Sequence, residues 1–431
     1  MNPYSKRYNN APIASKKATI ALLVSLAVLS LMDAVFNTVG LPKGALFTLT
    51  WLFFVGIFAL ASLQLVKKVK FESNYFKYLF LLFMGYGAVI VFRGLSFSSD
   101  ALTSYLRVPY IFWPFLIPFL AFLGRNIKTY NYVLQVLFYL SCLFPLLIIA
   151  FPGLIASASP AEVLVYSTVL GSGFLLMNSN YISESKINIS FIFLVLAALI
   201  FLYLARRAGL FMILGLIAAS YIFVIFKSKK PLIFKLFPVF LAIAVVVFFQ
   251  FDTITDTLLA EINKRLYEDT RSTVVDMFYM DMENHFVFGK GINATYYCPI
   301  GGGLGESGID YDIIYYRDVI ENGYLQLILS GGLVHVILFL LIVIPAAFNG
   351  VFRSSNLFVK SCGAMIFLWM VFMIGAGLPS LSLGYVLVWV SIGVCYRKSL
   401  RSKSDEEIRK AFGIIDNSLK TGTINQKSAK R

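Results

Sequence analysis

Two adjacent arginines, Arg206 and Arg207, stand between apolar runs in LYLARRAGLF, and three more, Arg265, Arg271 and Arg317, stand in a long polar stretch. A guanidinium is a planar, permanently charged fork that holds phosphate oxygens in pairs. Five such groups on one side of a membrane suit a protein that handles a lipid diphosphate at the membrane surface. A transporter of a neutral solute has no need of them. For Arg206 and Arg207 the simpler use is anchoring to lipid headgroups, because a long side chain near an interface reaches the polar zone.

Other patterns weigh less. Asp310-Tyr311-Asp312 matches the Asp-x-Asp of metal-dependent sugar-nucleotide transferases. The pattern is short, solvated loop carboxylates explain it, and a hard cation needs more oxygen ligands than this stretch offers. GGGLGES, Gly301 to Ser307, lacks the Lys-Ser/Thr of a phosphate loop and reads as a lid or turn. His335 and Asp33 fall within apolar runs. An ionisable residue at that depth is a functional candidate, although a helix-packing hydrogen bond is the plainer use of His335. The four cysteines and two histidines show no metal-ligand spacing, so the site is expected to hold no metal and no cofactor.

The elements that must position these residues are written in the hydropathy. The chain has 431 residues, 59% hydrophobic and only 14% charged, against roughly a quarter charged in soluble domains. Its apolar runs have the length that crosses about 30 Å of hydrocarbon. The expected fold is an all-α polytopic membrane protein of about twelve transmembrane helices with one long, partly helical extracytoplasmic loop. Spans are placed near 18–40, 44–66, 76–92, 107–123, 131–151, 162–177, 187–205, 208–226, 232–251, 322–344, 358–377 and 380–396. The sixth, holding Gly171, Ser172 and Gly173, reads as broken or shallow. Pairs of small residues elsewhere, such as Gly331-Gly332, read as close helix packing.

Basic residues sit beside cytoplasmic span ends. That rule puts the N-terminus (1–17) and the basic tail (397–431) in the cytoplasm, with spans over 18–251 and 322–396. The loop over 252–321 then lies outside. From Asp252 to Ile320 it carries 12 Asp+Glu against 5 Lys+Arg, whereas the whole chain carries 22 against 37. Arg206 and Arg207 break the charge rule, being basic on the outer side. The tail is expected to be a short helix over SDEEIRKAFGIIDNSL followed by disorder, serving as a solvated anchor.

Three segments together resemble the O-antigen polymerase and O-antigen ligase superfamily of bacterial envelopes. RRAGLFMILGLI is similar to that family's Ser-Arg-small-small-apolar segment, with Arg207 at the arginine. RSTVVDMFYMDMENHFVFGKGIN is similar to its segment of an arginine, a helix and an "NPLFGVG" turn, with Arg271 at the arginine and Phe288 to Gly291 at the turn. ENGYLQL is similar to its His/Asp-Asn-x-Tyr-Leu signature through Asn322, Tyr324 and Leu325, with Glu321 where ligases carry His.

The resemblance implies a metal-independent membrane glycosyltransferase in the bacterial cytoplasmic (inner) membrane. Donor and acceptor would both be undecaprenyl-diphosphate-linked glycan, and the product O-antigen of lipopolysaccharide, or capsule. It implies Glu321 as base toward the acceptor hydroxyl and Arg207 and Arg271 as cations on the diphosphate. Arg206, Arg265 and Arg317 would support them, and Asn322 and Tyr324 would orient the base or bind sugar. Partners would be membrane lipid and a chain-length regulator, and no nucleic acid. A ligase with another acceptor, and a lipid-linked oligosaccharide flippase, stand as alternatives. A transporter should show internal repeats and polar residues at mid-membrane, and beyond the first three residues of a span only Asp33, Lys235 and His335 are ionisable.

Overall fold

Ser73, Asn322, Asn356, Ser382 and Ser404 each stand one residue ahead of a helix, and each side chain accepts a backbone N–H from the first turn. The first N–H groups of a helix have no partner within it, and a short hydroxyl or amide oxygen supplies one. Between such starts the sequence is apolar enough to stay helical in lipid, where each backbone polar group must be paired internally.

The computed structural model describes residues 13–39, 45–66, 71–98, 101, 102, 104, 105, 108, 110–123, 127–150, 158–204, 206–225, 270–298 and 316–414. In chain order these form α1 (Ile13–Val39), α2 (Ala45–Val66), α3 (Asn74–Gly94), α4 (Trp113–Leu116), which runs into a 3₁₀ turn (Ile117–Phe122), α5 (Ile127–Ala150), α6 (Ala158–Met177), α7 (Glu184–Tyr203) and α8 (Arg207–Ile225). Beyond the gap come α9 (Thr270–Met282), β1 (Tyr296–Tyr297), β2 (Tyr316–Arg317), α10 (Gly323–Phe352), α11 (Leu357–Phe372), α12 (Leu383–Cys395), α13 (Lys398–Arg401) and α14 (Asp405–Ala411). The expected span at 232–251 lies outside the described residues, as do Arg265, GGGLGES and Asp310-Tyr311-Asp312.

The protein is an all-α, membrane-embedded bundle. Among the described residues five helices, α2, α3, α5, α7 and α10, are long and apolar enough to cross a membrane, and six further apolar stretches are only 10–17 residues long. Leu49, Phe53 and Leu60 of α2 and Tyr78, Leu82 and Phe92 of α3 point outward, while Trp51, Phe58, Phe80 and Phe83 face the core. Lipid is as apolar as the interior, so outward leucines and phenylalanines cost little there. Small residues set the close crossings. A Cβ on Gly350 of α10 would stand 2.6 Å from the Gly363 Cα of α11.

Three expectations change. The fourth span, expected over 107–123, is α4 and its 3₁₀ turn, only Trp113–Phe122. Pro114 and Pro118 stand at the start of the two pieces, and a proline lacks the N–H that would join them into one helix. The sixth span is not broken: α6 is a continuous 20-residue helix. Gly171 and Gly173 lie against Ser141 of α5 and Leu216 of α8, so the small residues serve contact. The tenth span, expected as one helix, is broken at Gly332, which has φ 68° and ψ −172°.

The tail is not a solvated anchor over its described part. Leu400, Ile408 and Phe412 are buried. Asp405 accepts from the Tyr181 hydroxyl and the Leu357 N–H, each at 2.6 Å. The buried Asn356 donates to the carbonyls of Leu400 and Lys403 at 2.8 and 2.9 Å. Residues 397–414 thus close one end of the bundle.

Candidate functional site

At the other end, the break in α10 is filled by the turn that follows α9. Interrupting a helix frees the carbonyls before the break and the N–H groups after it, and each freed group left unpaired away from water costs about 1–3 kcal/mol. The turn pairs both sets. Lys290 N donates to Leu329 O and Gly291 N to Ser330 O, both at 2.9 Å. In return Leu333 N donates to Phe286 O at 2.9 Å and Val334 N to Val287 O at 3.2 Å. Gly289 and Gly291 have φ of 67° and 100°, a left-handed backbone that glycine adopts without steric cost.

Helix α3 holds the turn from the side. Arg93 Nη1 donates to Phe288 O and Nη2 to Gly289 O, each at 2.6 Å. The Tyr86 hydroxyl donates to Gly331 O at 2.7 Å. Asn293 donates to Gly94 O at 2.6 Å. Lys290 reaches back to Asp281 and donates to Thr295 O at 3.1 Å.

The return limb of the loop is tied to the same place. Tyr296 pairs in register with Arg317 across the antiparallel β1–β2 contact. Its fully buried ring lies 5.6 Å from that of Phe278 on α9. Burial pushes the Tyr296 hydroxyl up to about 12, Cys298 and Glu321 push the same way, and Arg317 pulls against them. The Tyr110 hydroxyl donates to Asp318 Oδ2 at 3.0 Å. Gln326, buried on the first turns of α10, accepts from Ile320 N and donates to Asp318 O, both at 3.0 Å.

Between the turn, the return limb and α4 lies a cavity of about 210 Å³, lined by Tyr110, Phe115, Asn293, Asp318, Gln326 and His335 among others. His335 is 1% exposed. Its ring stacks on Phe115 at 5.7 Å and an interplanar angle of 12°, and lies 5.2 Å from Phe83. His335 hydrogen-bonds to the Leu327 backbone, the packing use expected of it, while its Nδ1 has no partner among the described residues.

The residues singled out from sequence fall as follows. Glu321 is exposed at the mouth of α10, one residue ahead of the cap. Asn322 is the cap: Oδ1 accepts from Tyr324 N and Leu325 N at 3.0 and 3.1 Å, and Nδ2 donates to Ile374 O at 2.9 Å. The Tyr324 hydroxyl donates to Met370 O at 2.8 Å. The polar atoms expected to orient the base or bind sugar are therefore engaged in joining α10 to α11. Arg317, half-buried in β2, is four residues from Glu321. Arg206 is half-buried in the turn before α8, Arg207 opens α8, and Arg271 lies in the first turn of α9. A Cβ on Gly375, just past α11, would stand 3.8 Å from the Ala208 Cβ. The start of α8 thus shares one end of the bundle with Asn322.

Arg93, Tyr86, Tyr110, Asp318 and Gln326 were not singled out from the sequence. Arg93 carried the only signal, a cation followed by glycine at the end of an apolar run. No family model, no curated protein and no solved structure matches the chain.

Proposed function

We propose that the protein polymerises undecaprenyl-diphosphate-linked oligosaccharide units into surface polysaccharide, O-antigen or capsule, on the outer face of the bacterial cytoplasmic membrane. One observation carries the reading. The turn over 286–291 and the helix that ENGYLQL opens are far apart in sequence, yet they join backbone to backbone just past that motif, at Leu329, Ser330, Leu333 and Val334. The turn and that helix belong to two of the three segments on which the resemblance rests, and the residues that follow the turn line, with the start of α10, a largely apolar cavity edged by Asn293, Asp318 and Gln326.

In the proposed reaction an acceptor sugar hydroxyl attacks the anomeric carbon of the donor. The new C–O bond forms as the bond to the diphosphate oxygen breaks, and that oxygen leaves with the electron pair. Glu321 takes the hydroxyl proton. Its exposure at the mouth of α10 leaves it within reach of a substrate arriving from the loop side. Arg207 and Arg271 stabilise the charge growing on the leaving diphosphate, as fixed cations do where charge develops, and Arg206, Arg265 and Arg317 add to that field. The test is expression in a strain lacking its own polymerase but making lipid-linked units of the source organism. A ladder of polymer lengths is expected, and single units alone would overturn the reading.

A further inference from the structure

The turn from Phe286 to Gly291 has an apolar tip and a saturated backbone. It reads FVFGKG. The carbonyls of Phe286 and Val287 accept from Leu333 N and Val334 N, and those of Phe288 and Gly289 accept from Arg93. The N–H groups of Gly289, Lys290 and Gly291 donate to His285 O, Leu329 O and Ser330 O. In water a turn can leave such groups to the solvent, whereas non-helical backbone at membrane depth must pair them within the protein. The charged side chain of the turn, Lys290, reaches back to Asp281 and Thr295 O. Val287 and Phe288 point outward instead, 50% and 59% exposed.

Two helix lengths put that tip at the edge of the hydrocarbon. Beyond its break α10 continues from Leu333 to Phe352, and α3 has 21 residues. At 1.5 Å per residue each covers about 30 Å, the thickness of the hydrocarbon layer. Both lengths end at one level. A Cβ on Gly94, the last residue of α3, would stand 3.0 Å from Ile292 N just after the turn, and one on Gly331 would collide with Ile90 of α3.

Around that level the outward surface is Val89 and Phe92 of α3 and Leu333 and Ile337 of α10, all exposed. Val287 and Phe288 stand between these two helices, bonded to Val334 and Arg93 through their own carbonyls. Their side chains therefore continue the surface that α3 and α10 turn toward lipid. Apolar side chains at such a boundary are held by sinking about 5–10 Å into the leaflet.

We propose that the 286–291 turn is inserted into the lipid leaflet on the loop side of the bundle, with Val287 and Phe288 among the acyl chains. It thereby ties the long polar loop to the membrane surface. This goes beyond the proposed reaction and does not rest on it.

The test is spin-label EPR on the full chain in liposomes of phosphatidylethanolamine and phosphatidylglycerol. The background is Cys142→Ser, because the other three cysteines are buried. Single nitroxides are attached through Val287→Cys, Phe288→Cys, Phe92→Cys and Glu283→Cys. Oxygen concentrates in lipid and a nickel chelate stays in water, so collision with each reports depth. At least one label at 287 or 288 is expected to meet oxygen several-fold more than nickel, as at Phe92, while the label at Glu283 shows the reverse. Nickel contact at 287 and 288 equal to that at 283 would put the turn in water and overturn the proposal. Shielding of both from oxygen and nickel would overturn it too, since a second copy or another segment of this chain would then cover the tip. If the labelled variants do not fold, Phe288→Trp decides. Its added fluorescence should be quenched by lipid brominated near the headgroup end of the acyl chain and not by aqueous iodide, and the opposite pattern, or quenching by neither, overturns the proposal.

Discussion

Gly289 and Gly332 meet backbone to backbone: a Cβ added to Gly289 would stand 2.5 Å from the Gly332 nitrogen, and one added to Gly332 would collide with the Val287 carbonyl. Both have positive φ, 67° and 68°. An L side chain in that region costs roughly 1–2 kcal/mol before any clash is counted. Gly289→Ala and Gly332→Ala should each lower the melting temperature of the purified protein and expose the 286–291 turn to protease. An unaltered melt for both would mean that the turn does not depend on this contact.

Arg93 is the side support of that turn, and its two bonds need a fork. Lysine carries a single point charge and can reach one carbonyl at a time. Arg93→Lys should keep part of the docking, and Arg93→Gln should lose most of it. The readout is hydrogen exchange at Lys290 and Gly291, whose N–H groups bond to α10. Exchange in Arg93→Gln equal to wild type would remove Arg93 from this role.

The membrane helices were legible because hydropathy is a local property, and burial in lipid asks little more of a residue than that it be apolar. Gly331-Gly332 were legible as small residues but not as a break. A glycine pair suits a close crossing and a hinge equally, and the choice is made by a turn some forty positions earlier in the chain. The same holds for Gly171 and Gly173, which looked like a weak point and are a contact. Asn322 was visible as a motif residue, but its use as a cap depends on where α10 begins. Arg93, Tyr110 and Gln326 act through loop carbonyls and carboxylates brought to them by folding, and a sequence does not display such partners.

Burial also alters what the cysteines report. Cys298 is the only loop cysteine and would be the natural probe of an outer loop, yet it is fully buried beside Tyr296. It should resist a membrane-impermeant maleimide in the folded protein and react only after denaturation. A cysteine at Met280, which is 74% exposed on α9, should label from outside in intact cells. Labelling of Met280→Cys only in opened cells would invert the expected orientation, and the proposed chemistry with it.

The arginines that open α8 and α9 carry the charge argument. Arg207→Ala and Arg271→Ala should each abolish polymer while the protein still accumulates in the membrane. The lysine variants should recover only part of it, since a fork holds two phosphate oxygens and an ammonium does not. Normal polymer from the alanine variants would leave headgroup anchoring as the use of Arg206 and Arg207.

Glu321 and Asn322 are neighbours with separable roles. A carboxylate just ahead of α10 gains from the helix dipole by roughly 0.3–1 kcal/mol, which is the structural use of Glu321. The capping itself, however, is done by Asn322, through two N–H bonds to Oδ1. Asn322→Ala should therefore cost about 0.5–2 kcal/mol of stability and lower activity only as far as the helix start loosens. Glu321→Gln keeps size and hydrogen bonding but cannot take the acceptor's proton. It should leave the melt near wild type and reduce polymerisation by roughly 10²–10⁴, seen as a collapsed ladder at equal protein abundance. Glu321→Asp, which keeps the charge one methylene short, should fall between. If Glu321→Gln gives a normal ladder while Asn322→Ala does not, the start of α10 positions substrate and the proton goes elsewhere.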